Sequence, residues 1–263
     1  MKLSALVLFF LFVPSVALAA SSDLINAAKK EGNVVVYSIT SRIANAAKSF
    51  EAKYGITVSA HNLKDFELIE KVTSEGKNNV YGADFIIAQD SGRVFGEIIK
   101  PGYAYSYTPP DMKKIIPEAY QNPLYFSFIT KAFIYNSETY TYPKITNVWE
   151  LTEKKWQKKF WFKDPLKEGV NANFLTMVTS PEVSRRLEAA YERHFGKKIA
   201  LTTPNAGYEW IKGIINNQLV MFTSDTKMAN SLGVKGQNID AVALGTYSKL
   251  RYREKKDLAL MPI

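Results

Sequence analysis

Over the first hundred residues the apolar positions switch repeatedly between two periods. Val34–Tyr37 is a continuous apolar run, the pattern of a strand buried on both faces. It leads through Ser38-Ile39-Thr40-Ser41-Arg42 into a segment where Ile43, Ala46, Ala47, Phe50 and Tyr54 follow helical spacing. Thr40 or Ser41 is placed to cap that helix, and Gly55 to stop it. "ITVSA" (Ile56–Ala60) alternates as a strand. "DFELIEKVTSEG" reads as a helix capped by Asp65 with Leu68, Ile69 and Val72 inward. "ADFIIAQDSG" is a second buried strand, followed by a helix around Val94, Phe95, Ile98 and Ile99 that ends at Pro101-Gly102. Strand and helix in alternation predict a parallel, doubly wound sheet.

A proline- and tyrosine-rich connection, "YAYSYTPPDMKKIIPEAYQNP", marks a boundary, and "LYFSFITKAFIYN" after it predicts two short strands around Thr130-Lys131. The second half predicts a strand at "KKFWFKDP", helices at Asn171–Thr179 and Pro181–His194, and a helix with Tyr208, Ile211 and Ile215 on one face. A strand at "QLVMFTSD" and a short helix closed by Gly233 follow. "IDAVALGTYSKLRYREKKDLALMPI" predicts two apolar strands joined by a basic turn, reached at the end of the chain. These readings divide the chain into 1–19, a first lobe at 20–123, a second at 124–240, and strands at 241–263 heading back toward the first.

Composition narrows the function. Lys2, a short apolar run and Ala17-Leu18-Ala19 form a secretory leader cleaved after Ala19. The absence of cysteine excludes disulfides, thiolate metal sites, a cysteine nucleophile and a lipid anchor at the cleavage site. A freely diffusing exported protein is the reading that results. The formal net charge is +9, but the Lys/Arg pairs are scattered as solvated faces would be, and export argues against nucleic acid as a partner. The two histidines, His61 and His194, lack metal-ligand spacing; His194 sits near a helix end, within reach of the last carbonyls. No Gly-x-Ser-x-Gly elbow is present, so a secreted hydrolase, the reading of a different class, would have to build paired carboxylates from Asp90, Asp164 and Asp225.

The segments "INAAKKEGNVVVYS", "FEAKYGITV", "GADFIIAQDSG", "AFIYNSE", "VWELTEKKWQKKFWFKDP" and "GVNANFLTM", in that order, resemble the solute-binding proteins of ABC importers, most of all the ferric-ion-binding branch with its polyamine-, thiamine- and phosphonate-binding relatives. The resemblance implies a two-lobe α/β fold, each lobe a doubly wound sheet, with C-terminal helices returning to the first lobe that have no counterpart before Ile263. It also implies a monomer in the periplasm that delivers its ligand to an ABC permease in the inner membrane, with no resident cofactor and no catalysis.

In open α/β sheets ligands bind beyond the carboxyl ends of strands. The candidate site is therefore Ser38, Thr40, Ser41, Arg42, Gln89, Asp90 and Ser91 from the first lobe. The second contributes Asp164, Lys167, Asn171, Thr223, Ser224 and Asp225, with Tyr247 and Arg251 where the chain crosses back. Hydroxyls at a helix start suit an anion or an anionic chelate. Iron(III) or its chelate is the ligand the resemblance favours, with Tyr37, Tyr208 and Tyr247 as candidate oxygen donors. The adjacent tyrosines typical of the ferric branch are missing; "VMFTSD" stands in their place. A polyamine would use Asp90, Asp164 and Asp225 as counter-charges, and a phosphonate would use Ser38, Thr40, Ser41, Arg42 and Ser224.

Overall fold

A computed structural model describes residues 22–140, 145–167 and 169–263. The leader and cleavage site expected at 1–19 lie outside the described residues. The first half runs α1 (Ser22–Glu31), β1 (Asn33–Ser38), α2 (Ile43–Tyr54), β2 (Thr57–Asn62), α3 (Asp65–Lys77), β3 (Phe85–Ile87) and α4 (Ser91–Arg93), which continues as a π-helical turn over Val94–Ile99. The strands pair in the order β2-β1-β3, all parallel. Tyr37, Leu68, Ile69, Val72 and Ile98 form the core beneath them, as the helical spacing of α3 predicts. Gly55 ends α2 in the left-handed conformation (φ 68°), donating to the Glu51 carbonyl.

Two expected caps are corrected. Arg42 holds the N-cap of α2 with no side-chain bond, and the Thr40 hydroxyl serves only the Arg42 N–H at 3.4 Å. Lys64 holds the N-cap of α3; the Asp65 carboxylate instead accepts the Gln89 N–H at 3.1 Å, tying the loop after β3 to the helix start.

The second half runs β4 (Lys131–Asn136), two 3-10 turns (Val148–Thr152 and Lys154–Trp156), β5 (Phe160–Lys163), α5 (Gly169–Val178), α6 (Pro181–Phe195), α7 (Ala206–Asn216), β6 (Val220–Phe222), α8 (Asp225–Leu232), β7 (Val242–Thr246), a 3-10 turn (Tyr247–Arg251), α9 (Tyr252–Lys255) and β8 (Leu260–Pro262). The sheet order is β6-β5-β7-β4-β8. It is mixed: β5 lies parallel to β6 and β7, and β4 antiparallel to β7 and β8. Successive strand side chains point to opposite faces, so each strand feeds two cores. Phe160, Phe162, Val242 and Leu244 join Trp149, Trp210 and Ile214 on one face. Ile134, Ala243 and Leu260 join Met228, Leu232 and Tyr252 on the other.

Three expectations change. The run 124–129 forms no strand; Tyr125 stacks on Phe128 at 5.9 Å, and Phe126 and Phe128 stay exposed, so its alternation reflects ring-on-ring packing rather than a ladder. The strands of 241–263, expected to head for the first lobe, pair inside the five-stranded sheet, and a helical turn joins them. On α7 the buried face carries Trp210 and Ile214, while Tyr208 and Ile215 are exposed, because the larger indole claims the interior and donates to the Val148 carbonyl at 3.0 Å.

Candidate functional site

The loops that leave the carboxyl ends of the strands are built differently in the two halves. After β1, Ser38 is fully buried and turned inward: its hydroxyl accepts the Thr40 N–H at 3.2 Å, and its carbonyl accepts Leu63 N–H at 2.9 Å and Asn62 Nδ2 at 3.1 Å. Ser38 thus locks the turn and joins β1 to β2. Ser41, Arg42 and Ser91 are exposed on the surface.

Asp90 behaves otherwise. It is 2% exposed, and its Oδ1 accepts Arg93 N–H at 3.3 Å and Asn173 Nδ2 at 2.9 Å. Asn173 belongs to α5 of the second half. A Cβ added at Gly169, the first residue of that helix, would lie 1.8 Å from Asp90 Oδ2. The carboxylate of one half is therefore seated against the first turn of a helix in the other, where a helix N-terminus favours negative charge. Only glycine leaves room for it.

At the carboxyl edge of the second sheet, Asn171 is fully buried; its Nδ2 donates to the Lys163 carbonyl at 2.7 Å, which fixes the amide orientation and leaves Oδ1 without a partner among the described residues. Asp164 closes its own turn on Leu166 N–H at 3.0 Å, with Lys167 Nζ at 3.8 Å. Ser224 caps α8, accepting Thr226 N–H at 3.1 Å. Asp225 accepts Thr246 N–H at 3.2 Å and lies 3.5 Å from Lys131 Nζ and 3.7 Å from Lys163 Nζ. Lys131, Lys163, Gly169 and Asn173 are contributors that sequence reasoning missed. The signal was a lysine at the edge of each of two otherwise apolar runs, Lys131 opening β4 and Lys163 closing β5.

The three candidate tyrosines sit on separate elements. Tyr37 packs in the first core with its hydroxyl 3.0 Å from Glu75; burial foremost, with Glu75 beside it, raises its pKa despite Lys71. Tyr208 projects from α7. Tyr247 follows β7 and, with Arg251, lines an open hollow of about 850 Å³ against Leu258 and Ala259. His194 pairs with Glu153 at 2.6 Å instead of with the helix carbonyls, and His61 packs edge-on to Tyr37.

Two α/β sheets whose carboxyl-edge loops meet at the Asp90–Asn173 contact make a two-lobe architecture, and the fold is that of solved periplasmic binding proteins. Among solved structures the chain is similar to iron-bound HitA from Pseudomonas aeruginosa (TM-score 0.60, 17% identity over 87% of this chain and 68% of that one). It is similar also to AfuA from Actinobacillus pleuropneumoniae with fructose-6-phosphate bound (TM-score 0.61, 19% identity, 88% and 68%). A third is the ferric binding protein from Campylobacter jejuni (TM-score 0.57, 20% identity, 88% and 69%). No family profile and no curated protein matches the sequence.

Proposed function

We propose that this protein is the solute-binding component of an ABC importer, working in the periplasm as a monomer that captures one small solute between its lobes and passes it to an inner-membrane permease. The observation that carries this reading is the Asp90–Asn173 contact, 2.9 Å across the junction of the two carboxyl edges. Those edges are where open α/β sheets take ligands, and lobes that meet there enclose one by hinge closure. No described helix is long and apolar enough to cross a membrane, which fits a role outside the bilayer. The neighbours named above carry iron or a sugar phosphate, and they support transport cargo over catalysis as the purpose of the cleft.

Binding works here as a population shift: a solute that touches both lobes only when they are closed favours that state by its differential affinity. Iron(III) or its chelate, a polyamine, thiamine and a phosphonate are the cargo classes to compare. The test is a thermal melt of residues 20–263 with ferric citrate, citrate alone, spermidine, thiamine and methylphosphonate. A solute at 100 times its Kd stabilises by about 2.7 kcal/mol, a readily measured shift. One solute raising the melting temperature, with Gly169→Ala reducing the rise, is the expected result. No shift with any of them, in a chain that melts cooperatively, contradicts the reading.

A further inference from the structure

We propose that the first turn of α8 and the Tyr247–Lys255 connection form an anion site, and that the captured solute carries a phosphate-like oxyanion seated there. The inference rests on the solute-binding reading above and specifies the cargo. Tyr252 is only 9% exposed, and three cations face its ring: Lys256 Nζ at 4.2 Å, Arg251 Cζ at 5.3 Å and Lys249 Nζ at 5.4 Å from the centroid. Its hydroxyl lies 3.4 Å from the Thr226 hydroxyl, which accepts Lys249 Nζ at 2.9 Å. Thr226 is the second residue of α8, beside Asp225 on the carboxyl edge that meets the first lobe.

The cations around this ring have neutral partners. Lys256 reaches the Asn230 side chain at 3.1 Å, and Arg251 reaches the Ser248 carbonyl at 3.0 Å. Of the nearby carboxylates, Asp225 is engaged with Thr246 N–H, Lys131 and Lys163, Asp257 with Lys235, and Glu138 with Gly236 N–H, while Glu254 of α9 is exposed and lies within ion-pair distance of none of the three cations. Each cation is drawn to the ring face by its quadrupole. Three of them without a carboxylate repel one another, and the helix start adds positive potential of the same sign. An oxyanion with two or more negative charges relieves that repulsion and takes charge-assisted hydrogen bonds from Lys249, with the Thr226 and Tyr252 hydroxyls as further donors. The field around Tyr252 has the same sense: its phenol is held below the ordinary tyrosine value, first by the Thr226 hydrogen bond and, against burial, by Lys249 and Lys256. A bare trivalent cation meets the opposite field, so iron would enter this site only as an anionic chelate.

The experiment is calorimetric titration of the chain with inorganic phosphate and, separately, with fructose-6-phosphate, for wild type, Lys249→Ala, Thr226→Val and the control Lys212→Ala, a lysine of α7 that bonds the Thr202 hydroxyl. Charge-assisted contacts of this kind predict roughly tenfold or greater weakening in Lys249→Ala and a smaller loss in Thr226→Val, with the control unchanged. Phosphate binding alone marks the free anion as cargo; tighter binding of the sugar phosphate marks an organic solute carrying it. The proposal is overturned if neither probe binds, or if both bind Lys249→Ala and Thr226→Val as they bind wild type. Should ferric citrate or spermidine still shift the melt in that case, the solute-binding reading stands without the anion site; should nothing shift it, both fall.

Discussion

Gly169 is the residue on which the junction between the lobes turns. A methyl group there would sit 1.8 Å from Asp90 Oδ2, so Gly169→Ala must expel the carboxylate, and small-angle scattering should show a larger radius of gyration than wild type. Gly207 is constrained by backbone instead: its Cβ would lie 2.2 Å from the Val178 carbonyl oxygen. Overpacking of this kind costs about 1–3 kcal/mol, which urea denaturation of Gly207→Ala should recover as a lowered midpoint at unchanged slope. Two tyrosines should titrate apart. Tyr37, raised by burial, contributes stability below its unfolded value of 10.0 that is lost as pH climbs through its folded value. Tyr252, lowered by the Thr226 hydrogen bond, does the reverse: its contribution grows as pH rises from its folded value to 10.0, is fully present above that, and is lost as pH falls through the folded value. Phenolate absorbance should lose its earliest component in Tyr252→Phe and its latest in Tyr37→Phe. At this scale the sequence showed which residues lie at strand ends but not what they do there. A serine after a strand reads the same whether it awaits a ligand or, like Ser38, bonds its own turn.

Elements were legible where one face is buried and one period dominates. β1, β5, α3 and α6 follow their apolar patterns closely, because burial of Leu68, Ile69 and Phe162 leaves no second register. The connection after β7 was not legible: "YSKLRYREKK" has aromatic and basic residues at both helical and strand spacing, and only Tyr252, packed under α8, shows which period prevails. Caps likewise depend on backbone conformation that composition leaves open. The Asn205 side chain caps α7 outright, accepting Gly207 N–H at 2.9 Å and Tyr208 N–H at 3.2 Å while donating to the Thr179 carbonyl at 2.9 Å. Asn205→Ala should therefore cost about 1–2 kcal/mol in chemical denaturation, the upper part of the range for a cap.

For the whole molecule, the division into two sheets was readable from the proline-rich connection and the change of pattern after it, and the pairing of the last strands was not, since strand order is a long-range property. The junction itself rests on residues far apart in sequence: Asp90 and Asn173 meet only in the folded chain. A solute held between the two carboxyl edges would bridge both lobes. Native-state hydrogen exchange, with and without the solute that most raises the melting temperature, tests this most directly. Slower exchange is expected in the 87–93 loop and at the start of α5 together, one segment from each lobe. Protection confined to a single lobe, or lying away from both edges, would contradict it.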